Sequence, residues 1–346
     1  MISKLWKDKV MDSSLKLPPS AEAVSVIIPV KDEQSSIENL LLGLLEQTFK
    51  PSEIVIVDGG SSDRTREIVR TIQETSPIPI VLIETDHAFP GRGRNLAIGG
   101  AAHEWIGSID GGIRPRPDWL EQLVDTAHRE PQAAVIYGTA EPVTDTYFTE
   151  CAAIAYLNPG PLTQFIASCL MRRSAWAAAG GFREDLRSAE DLLFFRSLTT
   201  SGIQTANCPE AVVTWELRPN LAATFRRFAI YSFNSMKAGL GREWQYNVTR
   251  LYLMLALCLV LGVLFWPFWL APPVILLLRV EKRIRGWFRF HNPKRVWGEM
   301  LNPRRVLTVM LINAVVDTAT FCGMWRWFAH DHSASREEWR DHNSSV

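Results

Sequence analysis

The sequence predicts an α/β domain on a mostly parallel, doubly wound central sheet, followed by C-terminal membrane helices. Three observations carry this. Short β-branched runs alternate with helix-length amphipathic segments between residues 24 and 130, and strands separated in this way need right-handed crossovers. Residues 251–271, LYLMLALCLVLGVLFWPFWLA, hold no charge, and about 20 such residues let a helix span a bilayer. Residues 281–305 then carry eight Lys/Arg against two Glu, the basic flank typical of cytoplasmic loops.

The elements follow in order. VSVIIPV (24–30) reads as the first strand. SSIENLLLGLLEQT (35–48) has apolar residues at helical spacing, with Ser35 or Ser36 as cap and Glu38 in the first turn. EIVIVD (53–58) is the second strand, and DRTREIVRTIQET (63–75) a helix. IPIVLIE (78–84) is the third strand. GRNLAIGGAAH (93–103) suits a helix weakened by its glycines. EWIGSID (104–110) is the fourth strand, and PDWLEQLVDTAHRE (117–130) the next helix.

Ligands of such sheets bind beyond the carboxyl ends of the strands. Strand one runs to Pro29 and is followed by Lys31-Asp32-Glu33; strand two ends on Asp58; Asp86 lies just beyond strand three; strand four ends on Asp110. Each acid alone reads as a cap or turn residue. Four on one rim repel one another and call for a cation or for ligand donors. No dinucleotide fingerprint follows strand one, where PVKDEQSS stands. GRGRN (91–95) opens a helix with Arg92 and Arg94, and arginines at a helix N-terminus suit a diphosphate. A nucleoside diphosphate matches both halves of this site.

Bulk properties narrow the class. Lys+Arg and Asp+Glu balance at 37 each, which gives no global field for nucleic acid. The five cysteines are dispersed and odd in number, as expected for reduced thiols. The seven histidines show no zinc spacing. The first 20 residues lack an apolar core of signal-peptide length, so the domain is expected on the cytoplasmic side of an inner or plasma membrane. The basic segment asks for the same side. Both hold if 251–280 enters and returns as a hairpin bent near Pro267 and Pro272-Pro273, although two full spans need roughly 40 residues. A buried core helix is the competing reading of this run. A second apolar stretch begins at Val306 and contains Asp317, which is expected to face protein or water.

Five stretches, VSVIIPVKDEQSSIENLL, EIVIVDGGSSDRT, GRGRNLAIGGAAHEWIGSIDGG, GGFREDLRSAEDLLFFRSL and VVTWELRP, cover about 24–220. In that order they resemble the family-two glycosyltransferases of the GT-A fold, and in particular a subset with C-terminal membrane segments. The resemblance implies a nucleotide-sugar donor and, from the membrane, a lipid-linked or envelope glycan acceptor. It divides the chain into a leader (1–23), a GT-A domain (24–245), a membrane-associated region (246–330) and a polar tail (331–346). It places Pro29, Lys31 and Glu33 in the nucleoside pocket, Asp58 and Asp86 on base or ribose, and Arg94 and Asn95 at the donor rim. Arg218 is expected near the pyrophosphate, Gly111 and Gly112 beside the diphosphate, and Asp191 as catalytic base with Glu190 beside it. Asp110 stands at the first acid of the family's D-x-D signature, so Mg²⁺ or Mn²⁺ is the implied cofactor.

The sequence departs from that signature at Gly112, where the second acid is missing. Water and substrate phosphates can complete the shell of Mg²⁺, and Arg114 and Arg116 are candidates to supply some of the lost charge. A degenerate turn in a non-catalytic nucleotide-sugar-binding membrane protein is the alternative. A hydrolase with two carboxylates leaves the four strand-end acids unexplained. Asp191 also reads as an ordinary acid at a helix N-terminus.

Overall fold

The computed structural model describes residues 23–160 and 164–330. The expected leader (1–23, apart from Ala23) and tail (331–346) lie outside them. Strands β1 (Val24–Val30), β2 (Glu53–Asp58), β3 (Ile80–Glu84) and β4 (Trp105–Ser108) alternate with helices α1 (Ile37–Leu45), α2 (Thr65–Thr75) and α3 (Pro90–Gly100). They pair in parallel in the order β3-β2-β1-β4. The order reverses between β1 and β4, which opens a crevice at their carboxyl ends. The rest of the domain adds β5 (Ile113–Pro115), α4 (Trp119–Arg129), β6 (Val135–Val143), α5 (Tyr147–Tyr156), β7 (Cys169–Arg172), α6 (Arg173–Ala178), α7 (Glu190–Thr200) and β8 (Thr205–Glu216). These extend one eight-stranded mixed sheet, β3-β2-β1-β4-β7-β6-β8-β5.

Burial explains the composition of the central strands. All six residues of β2 are buried, and β1 is buried almost throughout. A strand covered on both faces reads as a continuous apolar run rather than an alternating one. One face packs on Leu40, Leu41 and Leu44 of α1, Val69 of α2 and Trp119 and Leu123 of α4. The other packs on Ala97 and Ile98 of α3 and on Phe194 and Leu198 of α7. Most element ends differ from expectation by one to three residues, and two differences have a visible cause. Helix α3 starts at Pro90, a residue whose fixed φ suits the first helical turn. Strand β4 stops at Ser108, because the Asp110 carbonyl accepts a bond from Ile113 N at 3.1 Å and turns the chain.

The remaining elements are α8 (Leu221–Lys237), α9 (Gln245–Leu264), a 3₁₀ turn (Trp266–Leu270), α10 (Ala271–His291), α11 (Val296–Met300) and α12 (Pro303–Ala329). Helices α9 and α12 are long and apolar enough to cross a membrane. They behave differently. The α9–α10 hairpin leaves Val263, Leu264, Trp266 and Trp269 more than half exposed. Helix α12 instead lies along the domain. Its Val309, Ile312 and Val316 share a core with Cys151–Ala155 of α5 and with Val280 and Ile284 of α10. Ser232 of α8 donates to the Thr320 carbonyl at 2.7 Å. Asp317 is buried and accepts from Arg279 Nη2 at 2.9 Å and Tyr252 OH at 3.2 Å. The acid inside the apolar stretch therefore faces protein and joins three helices.

Gly323 permits the close approach of α12 to α8. A Cβ there would stand 2.5 Å from the Ala229 carbonyl oxygen and 2.6 Å from Ser232 Cβ. Gly323→Ala is expected to destabilise the protein by about 1–3 kcal/mol through overpacking. Gly99→Ala, at a helical position with nothing within 4 Å, should stabilise by about 0.4–1 kcal/mol. Denaturant unfolding in detergent measures both.

Candidate active site

The crevice is shaped first by the loops after β1 and β2, which hold each other. Asp32 N donates to Ser61 Oγ at 2.9 Å, Glu33 N to Thr65 Oγ1 at 2.8 Å, and Gln34 N to Asp63 Oδ2 at 3.1 Å. Ser62 N returns a bond to Asp32 Oδ1 at 2.7 Å. Asp32 has φ of +55°, a conformation that aspartate tolerates better than most residues. The serines, Asp63 and Thr65 of VDGGSSDRT thus clamp the neighbouring loop.

Asp58 is fully buried. Its Oδ1 accepts from Gly60 N at 3.1 Å and Ser61 N at 2.9 Å, and Arg66 Nε lies 3.4 Å away. Its Oδ2 is buried without a partner among the described residues. Buried acceptors are nearly always paired, which makes this oxygen an exception. Asp86 sits on the loop after β3, which packs against the loop after β2. Its carbonyl oxygen would be 2.2 Å from a Cβ at Gly60, whose φ of +86° also demands glycine. The Asp86 carboxylate is exposed.

Glu33 reaches across to the Asp110-Gly111-Gly112 turn. A Cβ at Gly111 would meet Glu33 Cγ at 3.0 Å, and one at Gly112 would meet Glu33 Oε2 at 3.5 Å. The Glu33 carboxylate therefore lies in van der Waals contact with position 112. Ser36 Oγ donates to its Oε2 at 2.5 Å. Burial pushes the Glu33 carboxyl up from its ordinary range, and the negative charge of Asp110 adds to this; the charge of Arg218 opposes it. Exposed Arg218 is thus within electrostatic reach of the crevice. Arg114 and Arg116 are not available there: they pair with Glu216 at 2.8 Å and Glu141 at 2.9 Å.

Arg94 is the centre of the site. Its side chain is 2% exposed. Nη2 donates to Asp110 Oδ1 and Nη1 to Glu190 Oε1, each at 2.7 Å. Both carboxylates favour the charged guanidinium, and its pKa is raised further although burial opposes this. The GRGRN glycines serve this packing rather than a phosphate cradle. A Cβ at Gly91 would lie 2.0 Å from the Arg183 carbonyl oxygen, and one at Gly93 3.0 Å from Pro29 Cβ. Pro29 therefore packs beneath α3. Asn95 commits its amide to the adjoining turn, donating to Phe182 O and Glu184 Oε1 at 2.9 Å and accepting from Trp176 Nε1 at 3.0 Å. Lys31 is exposed at the lip.

Helix α7 begins at Glu190 after Ala189, which has φ of +74°. A left-handed alanine is costly, and here it turns Glu190 onto Arg94. Asp191 is half-buried beside it. Burial raises the Asp191 carboxyl above its ordinary range; Arg94 opposes this and Asp110 adds to it. The structure brings Glu33, Asp110, Gly111, Gly112, Arg94, Glu190 and Asp191 together, with Arg218 near, Asp58 at the end of β2 and Asp86 on the loop after β3. Sequence reasoning placed Arg94 at the rim and missed that it joins two acids 80 residues apart in sequence. The flanking small residues Gly91, Gly93 and Ala97 were the available signal that this helix is tightly packed.

Among the described residues no cluster of three or more His, Cys, Asp or Glu forms a metal site. Asp110 and Glu33 offer two carboxylates on either side of Gly112. Such hard oxygen donors fit Mg²⁺ or Mn²⁺ if phosphates and water complete the shell.

Residues 25–186 match the model of glycosyl transferase family 2. The chain is 35% identical over 105 residues to glycosyltransferase AglE of Haloferax volcanii, covering 30% of this chain and 34% of that one. It is 32% identical over 111 residues to the undecaprenyl-phosphate 4-deoxy-4-formamido-L-arabinose transferase of Edwardsiella ictaluri, covering 30% and 33%. The matched segment thus spans about a third of the length of these relatives. A mannosyltransferase from Pyrobaculum calidifontis, solved with GDP-Man and Mn²⁺, superposes with a TM-score of 0.57 at 20% identity over 93% of each chain. The shared fold is GT-A.

Removing Arg94 leaves Glu190 buried and uncompensated. Arg94→Met is expected to cost about 3–5 kcal/mol. Adding Glu190→Gln should recover part of this loss, and denaturant unfolding of the single and double variants measures the recovery.

Proposed function

We propose that this chain, whose residues 25–186 form a glycosyl transferase family 2 domain, transfers a sugar from a nucleoside-diphosphate sugar to a lipid-linked or envelope glycan acceptor. The reaction is an inverting single displacement at the anomeric carbon. The observation that carries this reading is Arg94, one buried guanidinium gripping Asp110 on the donor side and Glu190 on the other.

Each residue has a role in this proposal. Asp58 Oδ2 accepts a hydrogen bond from the nucleoside, with Asp86 at the lip. Arg218 meets the diphosphate, whose negative charge grows as the bond to the sugar breaks. Gly111 and Gly112 let the phosphates approach the backbone. Asp110 and Glu33 would hold Mg²⁺ or Mn²⁺, which when bound stabilises the leaving diphosphate as a Lewis acid. Asp191 takes the proton of the attacking hydroxyl, and its raised pKa makes it a stronger base than a free aspartate. Glu190 and Arg94 position it.

The proposal places the protein at a membrane. Residues 251–278 carry no charge and are flanked by Arg250 and Arg279. Their exposed apolar side chains in the hairpin form a surface suited to lipid. The charge-free part of α9, 251–264, extends only about 21 Å at 1.5 Å per residue. That charge-free run is shorter than the roughly 30 Å hydrocarbon core, which α9 matches only over its full 20 residues with Arg250 included. The hairpin therefore enters and returns on one side, leaving the domain and the basic segment 281–305 together.

Metal-dependent release of nucleoside diphosphate, screened with UDP-, GDP- and dTDP-sugars, tests the activity; absence of release with each of them removes the reading in favour of a binding-only protein. Asp191→Asn should lower kcat by about 10²–10⁴-fold with donor affinity unchanged. The base works deprotonated and its pKa is raised. Activity should therefore be full above that pKa and fall as pH drops through it, giving an acid limb above the ordinary aspartate value of about 3.9. Glu33→Gln should weaken Mn²⁺ binding in the presence of nucleotide at least about tenfold, read by the electron paramagnetic resonance of free Mn²⁺.

A further inference from the structure

A cavity of about 210 Å³ lies where the 183–189 segment meets α8 and the C-terminal end of α12. None of the donor-side residues lines it. Three cations do, Arg187, Lys237 and Arg326, with one acid, Asp185. The acid is already engaged. Its Oδ1 pairs with Arg183 Nε at 2.8 Å and its Oδ2 with Lys237 Nζ at 3.0 Å. These partners hold its carboxyl at about 2, against the opposing effect of burial. Arg187 and Arg326 form no ion pair among the described residues. The Arg187 backbone is nevertheless fixed, since its N–H donates to Asn234 Oδ1 at 3.0 Å. Two guanidinium groups therefore face one cavity without a counter-charge.

The cavity also borders the reacting centre. Segment 183–189 leads directly into Glu190 and Asp191. Its first residue touches the start of α3, where a Cβ at Gly91 would collide with the Arg183 carbonyl. Phe89, the residue before α3, forms part of the wall with Ile230 and Phe233 of α8. On α12, Arg326 is flanked by Trp325 and Phe328, which are 74% and 63% exposed. Cations thus sit between an apolar wall and an apolar outer surface. Arginine binds phosphate bidentately, and the cavity is smaller than the ~300–1,000 Å³ that encloses a whole small molecule. It suits a head group whose chain lies outside.

Resting on the transferase reading, we propose that this cavity binds the phosphate of a lipid-phosphate acceptor through Arg187 and Arg326, with Lys237 beside them, and so presents a P–OH oxygen as the attacking hydroxyl: Asp191 takes its proton, the oxygen bonds to the anomeric carbon, and the nucleoside diphosphate leaves. The lipid chain leaves along Trp325 and Phe328 toward the bilayer.

The test is titration calorimetry of the full chain in detergent with farnesyl phosphate, farnesol and inorganic phosphate. Farnesyl phosphate should bind, and Arg187→Ala/Arg326→Ala should weaken it about tenfold or more. Farnesol should bind far more weakly, and equally to both proteins. Arg187→Lys/Arg326→Lys keeps the charge but not the bidentate fork, so it should bind farnesyl phosphate more tightly than the alanine variant and less tightly than the parent, which separates lost charge from lost structure. Equal affinity of the alanine variant and the parent for farnesyl phosphate overturns the proposal. Binding of inorganic phosphate without farnesyl phosphate also overturns it, making the cavity a site for the free ion. Titration with UDP and GDP runs in parallel. Their affinity should be unchanged by the arginine substitutions and lost in Asp58→Asn. If the parent protein binds neither nucleotide, the transferase reading fails by itself, while the cavity is still decided by farnesyl phosphate.

Discussion

A guanidinium held out of water between two carboxylates fixes the positions of everything around it. Arg94 cannot leave either acid without exposing a buried charge to an apolar setting, a change that costs several kcal/mol. Asp110 ends the loop after β4, and Glu190 begins α7. The ion pairs therefore tie the parallel half of the sheet to the helix that carries Asp191. Other features follow from this tie. Gly91 and Gly93 let α3 press onto the 183 turn and β1. Asn95, one residue on, locks the same turn through its amide. The left-handed Ala189 is the local cost of aiming Glu190 inward.

The sheet was legible because its signals are local. β1 and β2 were read with the bounds observed, since a strand buried on both faces leaves an uninterrupted apolar run. The rim was legible for the same reason: parallel strands present their carboxyl ends at one edge, so acids following each run share it. The β4–β7–β6–β8–β5 half was not assembled from sequence. Its antiparallel pairs join residues as far apart as Ile113 and Trp215, and no local pattern encodes such partners. The roles of Arg114 and Arg116 failed similarly, because their partners Glu216 and Glu141 lie on distant strands. Asn95 looked like a ligand because it stands in a polar motif; its amide is consumed by contacts to residues more than 80 positions away.

The apolar C-terminal region divides by what covers it. Hydropathy alone treats α9 and α12 alike, yet α12 buries Asn313, Asp317 and Thr320 against protein while α9 presents leucine and valine outward. Buried polar residues recur on one face of α12, and that periodicity distinguishes a helix packed on protein from one meant for lipid. The Asp317–Arg279–Tyr252 contact has a second consequence. It joins α12 to both arms of the hairpin, so the exposed hairpin is anchored to the domain by a buried charge rather than by a flexible linker.

The two glycines after Asp110 acquire a physical reason from Glu33. A Cβ at 112 would stand in ordinary contact with Glu33 Oε2, 3.5 Å away, so an acid there would lie beside the Glu33 carboxylate. Two carboxylates crowded there beside Asp110 would raise one another's pKa and each lose part of its charge. Two acids, one from each side of the crevice, carry less of that repulsion than three would. The glycine turn keeps the backbone open to a diphosphate, as a bulky residue would not. Burial is the main cause that raises the Glu33 carboxyl, and the charge of Asp110 adds a smaller push in the same direction. A third from position 112 would add negative charge that Arg94 is too engaged to neutralise. On this view the missing acid is the complement of Glu33, and the motif is completed across the β1–β4 crevice rather than along the chain.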